Sequence, residues 1–381
     1  MKKRIPSLVL IIVFVLVFVL SGCGGKGGGD VGGESENAAP PPASTDNAEP
    51  EPAADESGLD GWDGIKLTVV TYFGPSHRAI SVIQPWLDEV KSQSGGKIDY
   101  DFYPGEELVK NAEMYSALQD GICDVLFSDP AYNPDAFPLM RGFSLPGLSI
   151  DNSMVSAYVA NDYWRYAEEQ GWDEMKSFKY LWGVGFSPAA FESNKRIDKI
   201  GDFAGMQIRA NGFNIDPVKA LGAAPVALPA PEVYEGLMKG TVDASLMQFD
   251  ALINWKLAEV AKYGIWAPVV ANSTAFGIMN INTWNSLPPA AQELIMNISY
   301  KSAIDAAPLF DIMSEEGVAF AKEQDVEFYD LDEATLDAMR EKLAPIKDQW
   351  LSDVNAAGLP GDDAYAKLLE LAEKYTALYG N

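Results

Sequence analysis

IKLTVVTYF, residues Ile65–Phe73, is a β-rich apolar run that ends at the breakers Gly74-Pro75-Ser76, and it predicts a strand. The apolar residues that follow recur at helical spacing, which predicts a helix with Ser76 as its N-cap. Those apolar residues are Ile80, Ile83, Leu87 and Val90. Gly95-Gly96 ends the helix.

The same alternation continues along the chain. Ile98, Tyr100 and Phe102 alternate as in a strand, Glu106–Gln119 predicts a helix, and Ile122–Phe127 predicts a short buried strand. Strands alternating with helices indicate an α/β fold with a largely parallel sheet.

Two segments repeat one pattern. YSALQDGICD (Tyr115–Asp124) and YEGLMKGTVD (Tyr234–Asp243) carry Tyr, Leu, Gly and Asp at the same offsets. Each predicts a helix that ends at Gly and turns into a buried strand, although chance similarity of two ordinary units is the alternative. Two lobes of like design bind ligands at the carboxyl ends of their strands. We therefore expect Ser128–Tyr132 and Met247–Ala251 on opposite walls of a cleft.

The N-terminus is typical of an exported protein. Lys2–Arg4 precede an apolar run, Leu8–Leu20, that is too short for a comfortable membrane span. Leu20-Ser-Gly-Cys23 resembles a bacterial lipobox, which implies that residues 1–22 are a signal peptide and that Cys23 is lipidated. An uncleaved N-terminal anchor is the alternative, and either one tethers the chain outside the cytoplasm.

Composition excludes several functions. The formal charge is −27, and without three signal-segment cations it is nearer −30 (−27 − 3). Such acidity argues against nucleic-acid binding, and it requires local cations to hold any anionic ligand. Beyond Cys23, only Cys123 remains, so no internal disulfide can form.

The composition also divides the chain. Residues 23–64, with lipidated Cys23 at their start, are predicted to be a disordered linker because they contain almost no aliphatic side chains. Pro288–Gln324 predicts a long helix interrupted at Pro308, and two more helices follow. We expect a two-lobed clamp with this helix spanning both lobes: 65–185 with 279–315 in lobe I, and 186–278 with 316–381 in lobe II.

Gly205–Tyr263 carries the most specific motifs, namely MQIRANG (Met206–Gly212), KALGAAPV (Lys219–Val226), PAPEVY (Pro229–Tyr234) and KLAEVAKY (Lys256–Tyr263). Together with Phe143–Pro146 and other short matches, they resemble the DctP-type solute-binding proteins of tripartite ATP-independent periplasmic (TRAP) transporters. The resemblance covers nearly all of 65–381. It implies a type II-like periplasmic-binding-protein clamp that closes on a small organic acid without a cofactor. It also implies delivery of that acid to an ion-gradient-driven TRAP permease.

The resemblance assigns Arg209 to the ligand carboxylate, which a guanidinium can bind through two parallel hydrogen bonds. A surface arginine at a strand end is the alternative. His77 is expected either to reach the ligand and change charge near neutral pH, or to bond locally at a helix start. Arg78 is a weaker second cation. The remaining candidates line the cleft or belong to the core: Phe73, Tyr132, Phe186, Asn211, Phe213, Met247, Phe249 and Trp255.

Three departures from the family pattern bear on the ligand. Ser187 stands where some members have a second arginine, Ala230 where an aromatic residue is frequent, and Met247-Gln248 where Asn-Pro is usual. Fewer polar groups favour a monocarboxylate with an apolar or aromatic body over a dicarboxylate or a sugar acid.

Enzyme motifs are missing from the sequence. It has no G-x-S-x-G, H-E-x-x-H or G-x-x-x-x-G-K, and a single histidine argues against a metal site. We therefore expect an extracytoplasmic, lipid-anchored binding protein and no catalysis. A sensory protein that presents its ligand to a receptor, and an exported glycan hydrolase, are the alternatives.

Overall fold

The structure, a computed structural model, describes residues 58–380. The predicted signal peptide, the lipidation site Cys23 and the linker up to residue 57 lie outside the described residues.

The described residues form eleven strands and twelve α-helices. The strands are β1 (Ile65–Thr71), β2 (Ile98–Pro104), β3 (Val125–Ser128), β4 (Phe178–Gly185), β5 (Ala190–Ser193), β6 (Gln207–Ala210), β7 (Ala224–Ala227), β8 (Ala244–Met247), β9 (Tyr263–Trp266), β10 (Thr274–Asn280) and β11 (Glu327–Asp330). The helices are α1 (Ile80–Gln93), α2 (Met114–Gln119), α3 (Ser153–Glu169), α4 (Ile215–Leu221), α5 (Val233–Lys239), α6 (Ala251–Asn254), α7 (Ile281–Ser286), α8 (Pro289–Ala306), α9 (Leu309–Glu323), α10 (Glu333–Leu343), α11 (Pro345–Ala356) and α12 (Gly361–Tyr379).

The strands form two mixed sheets, which confirms the α/β two-lobed prediction. The first has the order β2-β1-β3-β10-β4 and the second β11-β9-β5-β8-β6-β7. In the first sheet β1 runs parallel to β2 and β3, and β10 runs antiparallel to β3 and β4. In the second, β6 runs parallel to β7 and β8, and β5 runs antiparallel to β8. The chain therefore leaves the first sheet after β4 and returns to it in β10.

The two copies of the sequence repeat occupy equivalent places. The Asp124 amide donates to the Thr68 carbonyl, and the Asp124 carboxylate accepts from the Thr68 amide, both at 2.8 Å. Asp243 makes the same pair of bonds with Gln207, at 2.7 and 2.9 Å. Each Asp thus extends the ladder between two parallel strands by one residue, which explains why both copies carry Asp at this offset.

Both copies also turn at the repeated glycine. Gly121 and Gly240 have φ values of 72° and 71°, in the left-handed region that side-chain-bearing residues rarely adopt. Glycine therefore allows each helix to end and the chain to enter the next strand.

Three local predictions differ from the structure. Helix α1 begins at Ile80 without a side-chain cap, so Ser76 is not its N-cap. The helix predicted from Glu106 is shorter, because α2 begins at Met114 after a single 3₁₀ turn. The ordered part starts before residue 65, since Leu59 is buried in the main core and the Trp62 carbonyl accepts a 2.7 Å bond from Lys97 Nζ.

The long helix near the C-terminal third is present as α8 and α9, which are separated at Pro308 as predicted. Helix α9 contacts both lobes. Its Asp311 carboxylate accepts from the Ser153 amide at the start of α3, at 2.9 and 2.8 Å. Its Gly317 lies against the Phe249 carbonyl, where an added Cβ would come within 2.2 Å. This helix is therefore a strut between the lobes.

The expected lobe boundaries differ from the sheets at two places. The boundary at 278/279 falls inside β10, which pairs in the first sheet from Thr274 onward. The segment 316–381 was expected in lobe II, but its last helix, α12, packs on α3 of the first lobe. Tyr375 stacks on Tyr158 with ring centroids 5.1 Å apart, and the Tyr379 carbonyl accepts from Asn152 Nδ2 at 2.8 Å. The chain thus ends on lobe I.

Candidate functional site

A cavity lies between the two sheets, where β1, β3, β6 and β8 end. The space inside it that water-sized molecules can occupy is about 30 Å³. Both predicted walls reach it, since Asp129 and Tyr132 line one side and Met247, Gln248 and Asp250 line the other. The repeat therefore places the ends of β3 and β8 opposite each other.

Eight of the ten predicted ligand-binding residues line this cavity: Phe73, His77, Tyr132, Phe186, Arg209, Asn211, Met247 and Trp255. The other two are buried elsewhere. Phe249 packs on Trp266 and Phe328, with ring centroids 4.6 and 5.3 Å apart, and Phe213 is part of the main core. These two aromatic residues serve packing, which was the alternative for each.

Other lining residues were not predicted to bind the ligand: Tyr72, Asp129, Asn214, Leu246, Gln248, Asp250, Ser273 and Phe310. Asp129 and Asp250 lie within the predicted walls, so their position after repeated strands was an available signal. Ser273 and Phe310 enter from distant parts of the chain, and nothing local in the sequence points to them.

Arg209 is the buried cation of the site, with 2% of its surface exposed. Its Nε donates to the Leu228 carbonyl at 2.9 Å and its Nη1 to the Leu246 carbonyl at 3.5 Å. Within residues 58–380, no Asp or Glu forms an ion pair with it. Backbone carbonyls therefore orient the guanidinium, while its charge is left without a paired anion.

Behind Arg209, polar side chains form a row across the second sheet. Arg209 on β6 is in register with Ser245 on β8, which is in register with Glu192 on β5. Both Glu192 carboxyl oxygens and the Ser245 hydroxyl are buried without a hydrogen-bond partner in the described part of the chain. Burial raises the pKa of Glu192 well above its usual range, although nearby Arg209 opposes this. Glu192 is therefore favoured in its neutral form and does not neutralise Arg209.

His77 lines the cavity but does not carry a charge there. It is 3% exposed, and its Nδ1 accepts a 3.1 Å bond from the Ala79 amide. Burial lowers the pKa of His77 to about 3, so the expectation of a charge change near neutral pH is wrong. Because Nδ1 accepts, the proton of the neutral ring is on Nε2, which leaves one donor for a neighbouring group.

Two buried carboxyls share the cavity with Arg209. Asp129 accepts three hydrogen bonds, from the Ala131 amide at 2.8 Å, Ser273 Oγ at 3.1 Å and Asn211 Nδ2 at 3.2 Å. Asp250 accepts one bond from another residue, from Asn254 Nδ2 at 3.1 Å.

Desolvation affects both acids in the same direction. Burial raises the pKa of Asp129 to about 6, against the lowering effect of its donors. Burial raises the pKa of Asp250 to about 7, with its Asn254 bond opposing the shift. Both groups therefore titrate close to neutral pH.

Aromatic rings form much of the remaining wall. Tyr72 stacks on Trp255 with centroids 6.2 Å apart and planes inclined by 7°, and it meets Tyr132 edge-on at 5.2 Å. Phe186 and Phe310 meet at 4.4 Å. A flat apolar group would find ring faces and edges on several sides of this cavity.

Contacts between the lobes close the cavity. Asn211 of lobe II donates to Asp129 of lobe I, as described above, and the Ala230 amide donates to the Tyr132 hydroxyl at 3.1 Å. Gly212 lies against the Ala131 carbonyl, where an added Cβ would come within 2.4 Å. The structure therefore represents the closed form of the clamp.

Two residues considered as determinants of the ligand lie away from the cavity. Ser187 Oγ donates to Asp311 at 2.9 Å and accepts from Ser314 at 3.1 Å, both on α9. Arg78, the weaker second cation, forms an ion pair with Glu316 and does not line the cavity.

The described residues hold no group of three or more His, Cys, Asp or Glu side chains placed to bind a metal ion. No helix within 58–380 has the length and apolar character that spanning a bilayer requires.

Most of the described part resembles known proteins. The family described as DctP, bacterial extracellular solute-binding protein, family 7, matches residues 70–353. A solute-binding protein of Albidiferax ferrireducens is 24% identical over 303 residues, which is 77% of this chain and 85% of that protein.

Two solved structures share the fold. A TRAP solute-binding protein from Rhodoferax ferrireducens, in complex with copurified benzoate, has a TM-score of 0.76 and 22% identity, and the match covers 82% of this chain and 99% of that one. A TRAP periplasmic solute-binding protein from Bordetella bronchiseptica, with bound (R)- and (S)-mandelate, has a TM-score of 0.74 and 26% identity. That match covers 81% of this chain and 99% of the other.

Proposed function

Since the chain belongs to the DctP family of bacterial extracellular solute-binding proteins, we propose that it captures a small organic acid with one carboxylate and an apolar or aromatic body. The observation that carries this proposal is Arg209, a buried arginine without a paired anion in a closed, ring-lined cavity. The family consists of transport-associated, extracytoplasmic binding proteins, which are not enzymes.

The charge of Arg209 calls for an anionic ligand. Removing a cation from water costs several kcal/mol unless an anion or hydrogen bonds compensate for the lost hydration. Leu228 and Leu246 supply only carbonyl dipoles. A carboxylate that accepts from the remaining guanidinium N–H groups would supply the missing charge in the bidentate geometry that arginine favours.

A single carboxylate fits better than two. His77 is neutral at physiological pH and Arg78 is paired outside the cavity, so no second cation faces a second carboxylate. The ring walls favour an apolar body. The mandelate-bound relative is consistent with such a ligand, because mandelate has one carboxylate and one phenyl ring.

Delivery of the acid to a permease depends on where the protein is anchored. We infer that Cys23 anchors the mature chain by a lipid outside the cytoplasmic membrane and that residues 24–57 connect it to the clamp. Closure on the acid would create the surface that a TRAP permease recognises, since a ligand shifts a two-state equilibrium by its difference in affinity for the two states.

Thermal unfolding of the full chain in a mild detergent tests this proposal. We expect small monocarboxylates with aromatic or branched bodies to raise the melting temperature, since a ligand at one hundred times its Kd stabilises by about 2.7 kcal/mol. Benzoate and phthalate form a matched pair with one and two carboxylates. The proposal fails if no acid shifts the melting temperature, and the monocarboxylate preference fails if phthalate and succinate stabilise more than benzoate.

A further inference from the structure

Asp250 is a buried acid that accepts a hydrogen bond from only one other residue of the described chain, besides one from its own backbone amide. Its residue is 5% exposed, and it lines the cavity. Its Oδ2 accepts from Asn254, whereas its Oδ1 accepts no hydrogen bond from another residue of the described chain. Asp129 lines the same cavity, but three protein donors satisfy both of its oxygens. Of these two acids, Asp250 accepts from fewer neighbouring residues and therefore has more acceptor capacity left for a ligand.

An acid with a wholly apolar body would leave this acceptor facing hydrocarbon. A buried polar atom that loses water without gaining a partner is costly, and the cost is larger for a charged group. Among the lining residues, Arg209 is the single charged cation, while Asp129 and Asp250 are both acids. A ligand that brings only negative charge would therefore satisfy Arg209 and leave Asp250 unmatched.

The rings that line the cavity together with Asp250 suit a positive group. Trp255 belongs to the same wall, and the rings of Tyr72 and His77 lie 6.2 and 5.0 Å from it. The faces of Trp and Tyr attract cations through their negative quadrupole. A carboxylate that lines the same cavity as such rings is an arrangement that suits an ammonium ion.

We propose that the ligand is a zwitterion, an acid whose carboxylate binds Arg209 and whose ammonium group lies between Asp250 and the rings of Tyr72 and Trp255. This rests on the proposed function, because it assigns Arg209 to the ligand carboxylate. It adds a second recognition point and narrows the ligand class from organic acids to amino-substituted acids. The ammonium charge stabilises the ionised form of Asp250, whose pKa burial raises to about 7.

Matched triplets of acids test this proposal with the full chain in detergent. Phenylacetate, mandelate and phenylglycine carry H, OH and NH₃⁺ on the same carbon. 3-Phenylpropanoate with its hydroxy and amino analogues, and butanoate with its analogues, repeat the comparison with other bodies. Calorimetric titration should show the amino member binding about tenfold or more tighter than its parent acid in at least one triplet, the factor expected from one charge-assisted bond.

Two variants test whether Asp250 causes the preference for the amino member of a triplet. Asp250→Asn keeps the shape but removes the charge, and it should reduce the preference for the amino member to below about threefold. Asp129→Asn is the matched control, a second buried acid of the same cavity that already has its donors. It should weaken all members of a triplet by a similar factor and leave the preference intact.

The possible binding results distinguish failure of the zwitterion proposal from failure of the proposed function. Parent, hydroxy and amino members that bind equally well in the wild type would overturn the zwitterion proposal while leaving the capture of an acid intact. A hydroxy member as strong as the amino member would overturn it as well, because a neutral donor would suffice. A preference that persists in Asp250→Asn would refute the assignment to Asp250. Binding by no carboxylate of any kind would refute the proposed function itself. If Asp250→Asn does not fold, the wild-type triplets alone decide.

Discussion

Replacing Arg209 by lysine tests the centre of the site most directly. Lysine keeps the positive charge but replaces a planar fork of five N–H donors with a single ammonium. In the structure, two of the five donors are used by the Leu228 and Leu246 carbonyls, and the guanidinium also bonds to the Tyr132 hydroxyl, which leaves its other N–H groups for a ligand. A lysine that reaches the ligand carboxylate can make one short contact where arginine makes two parallel bonds.

The expected loss is one charge-assisted hydrogen bond, worth about 1.5–3 kcal/mol. This corresponds to an increase in Kd of roughly 10- to 150-fold, at 1.36 kcal/mol for each factor of ten. Isothermal titration with the acid that gives the largest thermal shift measures it. Arg78→Lys is the matched control, because Arg78 pairs with Glu316 outside the cavity, and its Kd should change less than about twofold. If Arg209→Lys keeps the wild-type Kd within about threefold, Arg209 is not the carboxylate partner.

Three further predictions concern stability and closure. Burial raises the pKa of the Asp250 carboxyl from its ordinary value of 3.8 to about 7, so folding favours the protonated form. The stabilisation from this group is therefore fully present below about pH 4 and is lost as the pH rises through 7. Asp250→Asn should therefore leave the free energy of unfolding nearly unchanged at pH 4 and raise it by up to about 4 kcal/mol at pH 8, in urea titrations without ligand. Gly212→Ala places a methyl group against the Ala131 carbonyl, so it should weaken ligand binding by about tenfold or more, whereas Gly201→Ala, which meets no atom within 4 Å, should not. Asp243→Asn should lower the free energy of unfolding by about 1–2 kcal/mol, because the carboxylate accepts the first amide of strand β6.

Each of these predictions has a contrary result. Equal effects of Asp250→Asn at pH 4 and pH 8 would mean that the carboxyl does not titrate abnormally. An unchanged Kd for Gly212→Ala would mean that the lobes do not meet at Ala131 in the bound state. Asp243→Asn with wild-type stability would mean that the repeated Asp does not strengthen the sheet.

The fold was largely predictable because its evidence is local. Ile65–Phe73 shows strand character within nine residues, and the repeat at Tyr115 and Tyr234 shows helix, turn and strand in fixed order. The lining of the cavity was predictable where it coincides with strand ends, as at Arg209 and Met247. The sequence could not show that Phe213 and Phe249 pack in the core. An aromatic residue near a strand end faces either the cleft or the core, and the local pattern is the same in both cases.

Short stretches of sequence were enough to predict the alternation of strands and helices, the two lobes of like design and the arginine at the end of β6. These features depend on side-chain periodicity and turn chemistry over short stretches. Three features depend on long-range packing: His77 is neutral, Asp129 accepts from three other residues while Asp250 accepts from one, and α12 returns to the first lobe. Desolvation and hydrogen-bond satisfaction depend on neighbours that folding brings from distant segments of the chain. Asn211 lies 82 positions from Asp129 and Ser273 lies 144 from it, so no local pattern carries that information.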